Sequence, residues 1–176
     1  MTKNSIALIG FMATGKTTVG EALAEFLGEP YTFIETDQLI IEMAGKSIPE
    51  IFSEDGEEKF REFEKEACER VSNLSNIVVS CGGGVVINKE NILNLKKNCY
   101  LVLLRATIDE IFNRAMKDGK ETRPIINKED PRKEIEKVLN YRKSYYEKAA
   151  EIIIETTGKK IDNIVREIIM KIDLKT

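Results

Sequence analysis

Histidine and tryptophan are missing from all 176 residues, and cysteine occurs only three times. Without an imidazole there is no Ser-His-Asp or Cys-His nucleophile pair, no His-ligated zinc and no side chain that shuttles protons near neutrality. The cysteines, Cys68, Cys81 and Cys99, are odd in number and none stands in C-x-x-C spacing. A disulfide framework or zinc knuckle is therefore not expected, and three buried thiols in a reducing compartment are. Long apolar runs are lacking too, all falling well short of the roughly 18 residues a membrane-spanning helix needs. Residues 1–10 carry one basic side chain and no leader pattern, so the expected location is the cytoplasm. Nor does one charge dominate: 27 Lys+Arg against 30 Asp+Glu leave a net charge of −3. That argues against a nucleic-acid or anionic-membrane partner.

What is present is an ordinary globular composition, 42% hydrophobic and 32% charged, over a length that one core can serve. Short apolar runs at Ser5–Ile9, Tyr31–Glu35, Ile77–Ser80, Cys99–Leu104 and Glu151–Thr156 read as strands. Between them lie stretches of helical period: Lys16–Leu27, Asp37–Ala44, Glu57–Ser72, Lys89–Lys96, Thr107–Met116, Arg132–Ala149 and Lys160–Lys171. Ser47-Ile-Pro-Glu50 has the form of a capping box opening a further short helix. Apolar strands alternating with helices predict an α/β domain, a five-stranded parallel sheet covered on both faces. The polar segment Lys117–Pro131 is long for a connection inside such a domain and reads as a lid.

In sheets of this kind ligands bind beyond the C-terminal strand ends, and that is where the chemistry-bearing residues fall. Gly10-Phe-Met-Ala-Thr-Gly-Lys-Thr17 fits G-x-x-x-x-G-K-[ST] between the first strand and the first helix. Its glycines allow successive backbone N–H groups to converge on phosphate oxygens at a helix N-terminus. Lys16 is placed for the β/γ-phosphates and Thr17 for magnesium.

Glu35-Thr-Asp37 ends the second strand, where residues two apart face the same way. One carboxylate can serve the metal or its water shell while the other takes a hydroxyl proton. The plainer alternative is that Asp37 caps the next helix. Arg61, in a highly charged helix, is by default a solvated i,i+4 partner, and Arg123 and Arg142 are by default surface. All three also carry the planar fork that grips carboxylate or phosphate. Gly82-Gly83-Gly84 is either a turn of unusual backbone angles or a place of close approach to the backbone.

Taken in order, these residues resemble the shikimate kinase family, of the nucleoside-monophosphate-kinase-like P-loop group. The resemblance rests on G-F-M-A-T-G-K-T, E-T-D at Glu35–Asp37, G-E-E-K-F-R-E-F-E from Gly56 to Glu64, the triple glycine, Arg123-Pro124 and Arg142. It implies a three-layer P-loop NTPase fold with sheet order 2-3-1-4-5, substrate-binding helices over about 37–73 and a mobile lid. The implied activity is ATP-dependent phosphorylation of the 3-hydroxyl of shikimate by a monomer that uses Mg2+. Asp37, Lys16 and Arg123 would be catalytic. Gly10, Met12, Ala13, Thr14, Gly15, Lys16, Thr17 and Thr18 would hold the nucleotide, with Arg114, Lys159 and the Thr157–Ile161 loop at the adenine. Asp37, Arg61, Glu64, Gly82, Gly83, Gly84, Arg123, Pro124 and Arg142 would hold shikimate. Thr17 and Glu35 would serve the metal, Glu35 through water. Two residues depart from the family pattern: Glu35 replaces its usual Asp and Ala13 a usual glycine. A related small-metabolite kinase, gluconate-kinase-like or nucleoside-monophosphate-kinase-like, and an inactive nucleotide-binding regulator are the competing readings.

Overall fold

The structure is a computed structural model in which residues 3–117 and 128–172 are described. Five strands, β1 (Ser5–Ile9), β2 (Thr32–Glu35), β3 (Ile77–Ser80), β4 (Cys99–Arg105) and β5 (Ile152–Glu155), form one sheet in the order β2-β3-β1-β4-β5. Every neighbouring pair is parallel, as expected for short apolar strands joined through helices.

The sheet's alternation sends apolar side chains to both faces, with the buried Ser5 and Ser80 at the ends of β1 and β3. Ala7, Ile9, Val79, Leu101 and Leu103 pack on one face, against α4 (Gly56–Ser72), α5 (Lys89–Leu95), α6 (Ile108–Lys117) and α7 (Pro131–Ala149) through Cys68, Val71, Leu95, Ile111, Ile135 and Tyr146. Ile6, Leu8, Val78, Val102 and Leu104 pack on the other, against α1 (Lys16–Leu27) and α8 (Ile161–Lys171) through Val19, Leu23, Ile164 and Ile168. Both faces are dry, so both must be apolar. Each fully buried aliphatic side chain contributes roughly 1.5–3 kcal/mol. The order and the two covered faces match the expected three-layer fold.

A smaller cluster of Ile40, Ile51, Phe60 and Ala67 joins α2 (Thr36–Ala44), α3 (Ile48–Glu50) and α4 beside the sheet's β2 edge. The Ser47 capping box is present: Ser47 Oγ accepts from Glu50 N, and Ser47 N donates to Glu50 Oε2 at 2.8 Å. The sequence period suggests a simple short helix to Ser53. Instead α3 runs into a π-helical turn, Ile51–Asp55, ending at Gly56 in the left-handed region (φ 86°). This turn sets the entry of α4, the helix that carries Arg61 and Glu64.

Register finishes the placement. Glu35 pairs with Ser80 and Ile9 with Leu103, so the carboxyl ends of β1 to β4 lie close to level. The phosphate loop, the acidic pair and the triple glycine leave the sheet side by side. Arg123, Pro124 and most of the segment expected to be a lid lie outside the described residues.

Candidate active site

The phosphate loop curls because three residues take positive φ: Gly10 at 148°, Ala13 at 57° and Gly15 at 95°. For Ala13 the left-handed region costs roughly 1–2 kcal/mol, so the departure from glycine strains the loop without unwinding it. Thr14 Oγ1 donates to the Phe11 carbonyl at 2.8 Å, and Lys16 Nζ donates to the carbonyls of Gly10 and Phe11, each at 2.9 Å. The ammonium thus spans the mouth of its own loop, where phosphate oxygens can replace those carbonyls. Thr17 Oγ1 donates to Glu35 Oε1 at 2.5 Å. The longer glutamate arm therefore reaches the P-loop hydroxyl.

A cleft of about 540 Å³ runs along these ends. Met12, Ala13, Thr14, Gly15, Lys16, Thr17, Thr18, Glu35, Asp37, Gly82, Gly83, Arg114 and Lys159 all line it. Residues separated by more than a hundred positions thus meet, while Gly10, Arg61, Glu64, Gly84 and Arg142 do not line this cleft. At one end Arg114 Nη1 donates to the Ala13 carbonyl and Thr156 Oγ1, both at 3.3 Å, and its Nε to Glu110 at 2.8 Å. Lys159, from the loop after β5, pairs with Glu167 at 2.5 Å.

Away from the Arg114 end Glu35 and Asp37 line the cleft, and Arg61, Glu64 and Arg142 lie by the glycine turn without lining it. Asp37 does not cap α2, whose N-cap is Glu35; it stands in the first turn and faces the cleft. Its carboxyl is raised above the ordinary aspartate value, first because the cleft walls shield it from water. Lys16 opposes that shift and Glu35 adds to it. A base poised closer to neutrality suits proton abstraction from a hydroxyl.

Glu64 is 2% exposed and accepts from Arg61 Nη1 with both oxygens at 3.0 Å, while Glu57 accepts from Nη2 at 3.0 Å. Burial raises the Glu64 carboxyl, with Arg61 working against it. For Arg61 burial works against the charge, but Glu64 and Glu57 prevail and hold the guanidinium's pKa above its ordinary value. Arg61 is thus a fixed fork, not a loose surface cation. Arg142 Nε is buried without a hydrogen-bond partner among the described residues. The Arg142 guanidinium makes a side-chain hydrogen bond with Tyr146.

The triple glycine takes no positive φ, so unusual backbone angles do not account for it. Close approach does. A Cβ on Gly82 would lie 2.6 Å from Asp37 Oδ1, and one on Gly84 would lie 2.5 Å from Arg61 Nη1. A Cβ on Gly83 would find ordinary room, 3.5 Å from Arg142 Nη1. Two of the three glycines make space for the protein's own functional side chains. Asp37, Arg142 and Arg61 thus approach the turn at Gly82, Gly83 and Gly84 in order; of the three, Asp37 lines the cleft and the two arginines do not.

Two contacts at this turn had no signal in the sequence reading. Thr36 Oγ1 accepts from Gly82 N at 2.8 Å, and Tyr146 Oη donates to the Gly83 carbonyl at 2.7 Å. Thr36 lies between two carboxylates that drew the attention, and Tyr146 is four residues past Arg142 on the same helix; that spacing is the one clue available. Cys68, Cys81 and Cys99 are buried free thiols, and desolvation pushes all three up, Cys99 to about 12. They are inert packing, as expected.

Fold and cleft define the class first: a P-loop kinase of small molecules, with the phosphate loop, Asp37 and the glycine turn along one cleft. Comparison with known proteins takes this one step further. The model of the shikimate kinase family matches residues 12–173. A shikimate kinase of Caldanaerobacter subterraneus subsp. tengcongensis is 42% identical over 165 residues, covering 94% of each chain. The structure of a shikimate kinase from Acinetobacter baumannii in complex with shikimate superposes with a TM-score of 0.89 at 31% identity, over 99% of this chain and 97% of that one. A gluconokinase from Sinorhizobium meliloti, 19% identical with a TM-score of 0.57 over 93% of this chain and 88% of that one, shares the fold alone. The chain belongs to the shikimate kinase family.

Proposed function

We propose that the chain transfers the γ-phosphoryl group of ATP to the 3-hydroxyl of shikimate. The observation that carries this reading is the position of Asp37. It lies near Lys16 of the phosphate loop and against Gly82 of the triple-glycine turn, whose next two glycines are approached by Arg142 and Arg61.

Shikimate presents one carboxylate and three ring hydroxyls, and each has a counterpart here. Arg61, braced by Glu64 and Glu57, and Arg142, whose Nη1 lies beside Gly83, supply the donors that a carboxylate pairs with. With the acid end fixed by arginine, the ring extends along the glycine turn toward Asp37. Asp37 holds the hydroxyl and accepts its proton, or orients it, as the phosphoryl group is transferred in line. Lys16 exchanges its carbonyl partners for phosphate oxygens and neutralises developing charge there. Arg123, by the resemblance, adds a further guanidinium toward the phosphates, and Pro124 contributes to the acceptor side. Arg114, Lys159 and the Thr157–Ile161 loop bound the adenine end.

Magnesium fits the donors present. Thr17 and Glu35 are hard oxygen ligands already joined at the cleft, and magnesium takes one or two protein oxygens together with phosphates and water. Bound there, the ion would screen charge on the β- and γ-phosphates. No group cluster rich enough in carboxylates to cage a metal alone exists among the described residues. Every group named comes from one chain, so a monomer suffices for the work.

A coupled ADP-release assay with shikimate, gluconate, a nucleoside monophosphate or no acceptor tests the reading. Turnover with shikimate well above the other three is expected. Turnover with gluconate or the monophosphate instead would move the chain to a related kinase. ATP binding without turnover on any acceptor would make it a regulator.

A further inference from the structure

The triple-glycine turn is where the proposed acceptor lies, yet three glycines in a row make the least restrained backbone a chain can have. Something outside the turn must hold it, and two hydroxyls do. Thr36 is fully buried behind Glu35 and Asp37. The β2–β3 ladder ends at the pair Glu35–Ser80, and Cys81 N donates to the Leu8 carbonyl of β1 at 3.0 Å. Gly82 is the first residue past this ladder, and Thr36 Oγ1 takes its N–H at 2.8 Å while lying 3.5 Å from the Ser80 carbonyl. One side chain thus supplies the missing rung and sets how closely Gly82 approaches Asp37.

Tyr146 holds the turn from the opposite side. It is 3% exposed, on α7 one turn beyond Arg142, and donates to the Gly83 carbonyl at 2.7 Å. A Cβ on Gly83 would be 3.7 Å from Tyr146 Oη and 3.5 Å from Arg142 Nη1. The phenol and the guanidinium therefore flank the same backbone unit, and the phenol ties α7, with its arginine, to the turn.

We infer that Thr36 and Tyr146 are positioning residues for phosphoryl transfer. Thr36 fixes Gly82 against Asp37, and Tyr146 fixes Gly83 and α7 so that Arg142 meets the acceptor carboxylate. Both are buried, so each acts through the groups it holds. Both anchors come from rigid elements, as a pre-organised pocket requires. This inference rests on the shikimate kinase reading for its kinetic consequences, and its structural half can be read without a substrate.

Three variants decide it: Thr36→Val, which keeps the shape and removes the hydroxyl; Thr36→Ser, which restores it; and Tyr146→Phe, which keeps the ring. Thr36→Val is expected to lower kcat about tenfold, a factor worth about 1.4 kcal/mol, with the ATP KM unchanged and Thr36→Ser recovering most of the loss. Tyr146→Phe is expected to raise the shikimate KM about tenfold with kcat and the ATP KM little changed. Amide hydrogen exchange followed by NMR supplies the substrate-free readout: the Gly82 amide should exchange at least tenfold faster in Thr36→Val, with β1 amides unaltered.

A fall in melting temperature with unchanged kcat, shikimate KM and Gly82 exchange would make both hydroxyls plain packing and overturn the inference. If Thr36→Val fails to fold, Thr36→Ala takes its place in the kinetic and exchange measurements, beside Tyr146→Phe. If the unaltered protein shows no turnover with shikimate, the functional reading fails by itself, and the exchange data still decide whether the hydroxyls hold the turn.

Discussion

Replacing Gly82 by alanine should separate catalysis from stability. The backbone at Gly82 lies outside the left-handed region, so alanine can adopt it. The added methyl would meet Asp37 Oδ1 at 2.6 Å, whereas ordinary contact begins at 3.4 Å. The two must part by 0.8 Å, and the part that moves is the free end of the Asp37 side chain. Turning it about 30° off its rotamer costs roughly 0.5–1.5 kcal/mol. Alanine's smaller unfolded-state entropy returns about 0.4–1 kcal/mol. The melting temperature should therefore shift little. Activity should not be spared: a displacement near 1 Å in a group that touches the reacting hydroxyl can cost about 100-fold. A coupled ADP-release assay is expected to show kcat lower by about that factor, with ATP affinity by equilibrium titration unchanged. Gly83→Ala is the internal comparison. Its methyl finds ordinary room beside Arg142, 3.5 Å away, so it should leave Asp37 in place and kcat close to that of the unaltered protein. A Gly82→Ala protein with full kcat would refute the placement of Asp37 at the reacting hydroxyl.

Three further outcomes follow from the same geometry. Asp37→Asn should retain ATP binding and lose most turnover. Because burial raises the folded-state carboxyl of Asp37, stability falls as pH rises from its unfolded-state value through its folded one. The neutral variant should therefore melt higher at pH 7 in a thermal scan, and the acid limb of kcat/KM should lie above the ordinary aspartate value of about 3.9. Arg61→Ala should raise the shikimate KM at least about tenfold and leave the ATP KM alone. It also leaves the buried Glu64 carboxylate without its cation, at a cost of about 2 kcal/mol at pH 7. That cost should lessen toward acid pH as Glu64 protonates, and a melting temperature unchanged at all pH values would contradict the pairing. Gly10→Ala should fail differently from Gly82→Ala, because its methyl would run into the Leu104 carbonyl, a backbone group that cannot swing aside. Lower melting temperature and lost ATP binding are expected together, measured by thermal scan and nucleotide titration.

Much of the site was legible because its parts are local. The P-loop is contiguous, Glu35 and Asp37 are two apart, and the strands announce themselves as apolar runs that a two-faced sheet demands. Arg61 is different: its helix is so charged that an exposed ion pair was the natural reading. Only the burial of Glu64, set by the π-helical turn before α4, makes it a fixed fork. The triple glycine was readable as a place of close approach but not as to what approaches. That depends on the register of Glu35 against Ser80, which sequence spacing does not carry. Thr36 and Tyr146 were invisible for a related reason. A hydroxyl that accepts one backbone N–H or donates to one carbonyl leaves no periodicity behind. The absence of histidine proved consistent with the chemistry, which calls on a lysine, arginines, carboxylates and a metal ion.

If Asp37 presents one particular hydroxyl of shikimate to ATP, the product carries its phosphate at a single position. Incubation with ATP, magnesium and shikimate, followed by phosphorus–proton correlation NMR, should show a single phosphate ester coupled to the proton on carbon 3. An ester on another hydroxyl, or hydrolysis of ATP with shikimate left unmodified, would contradict it.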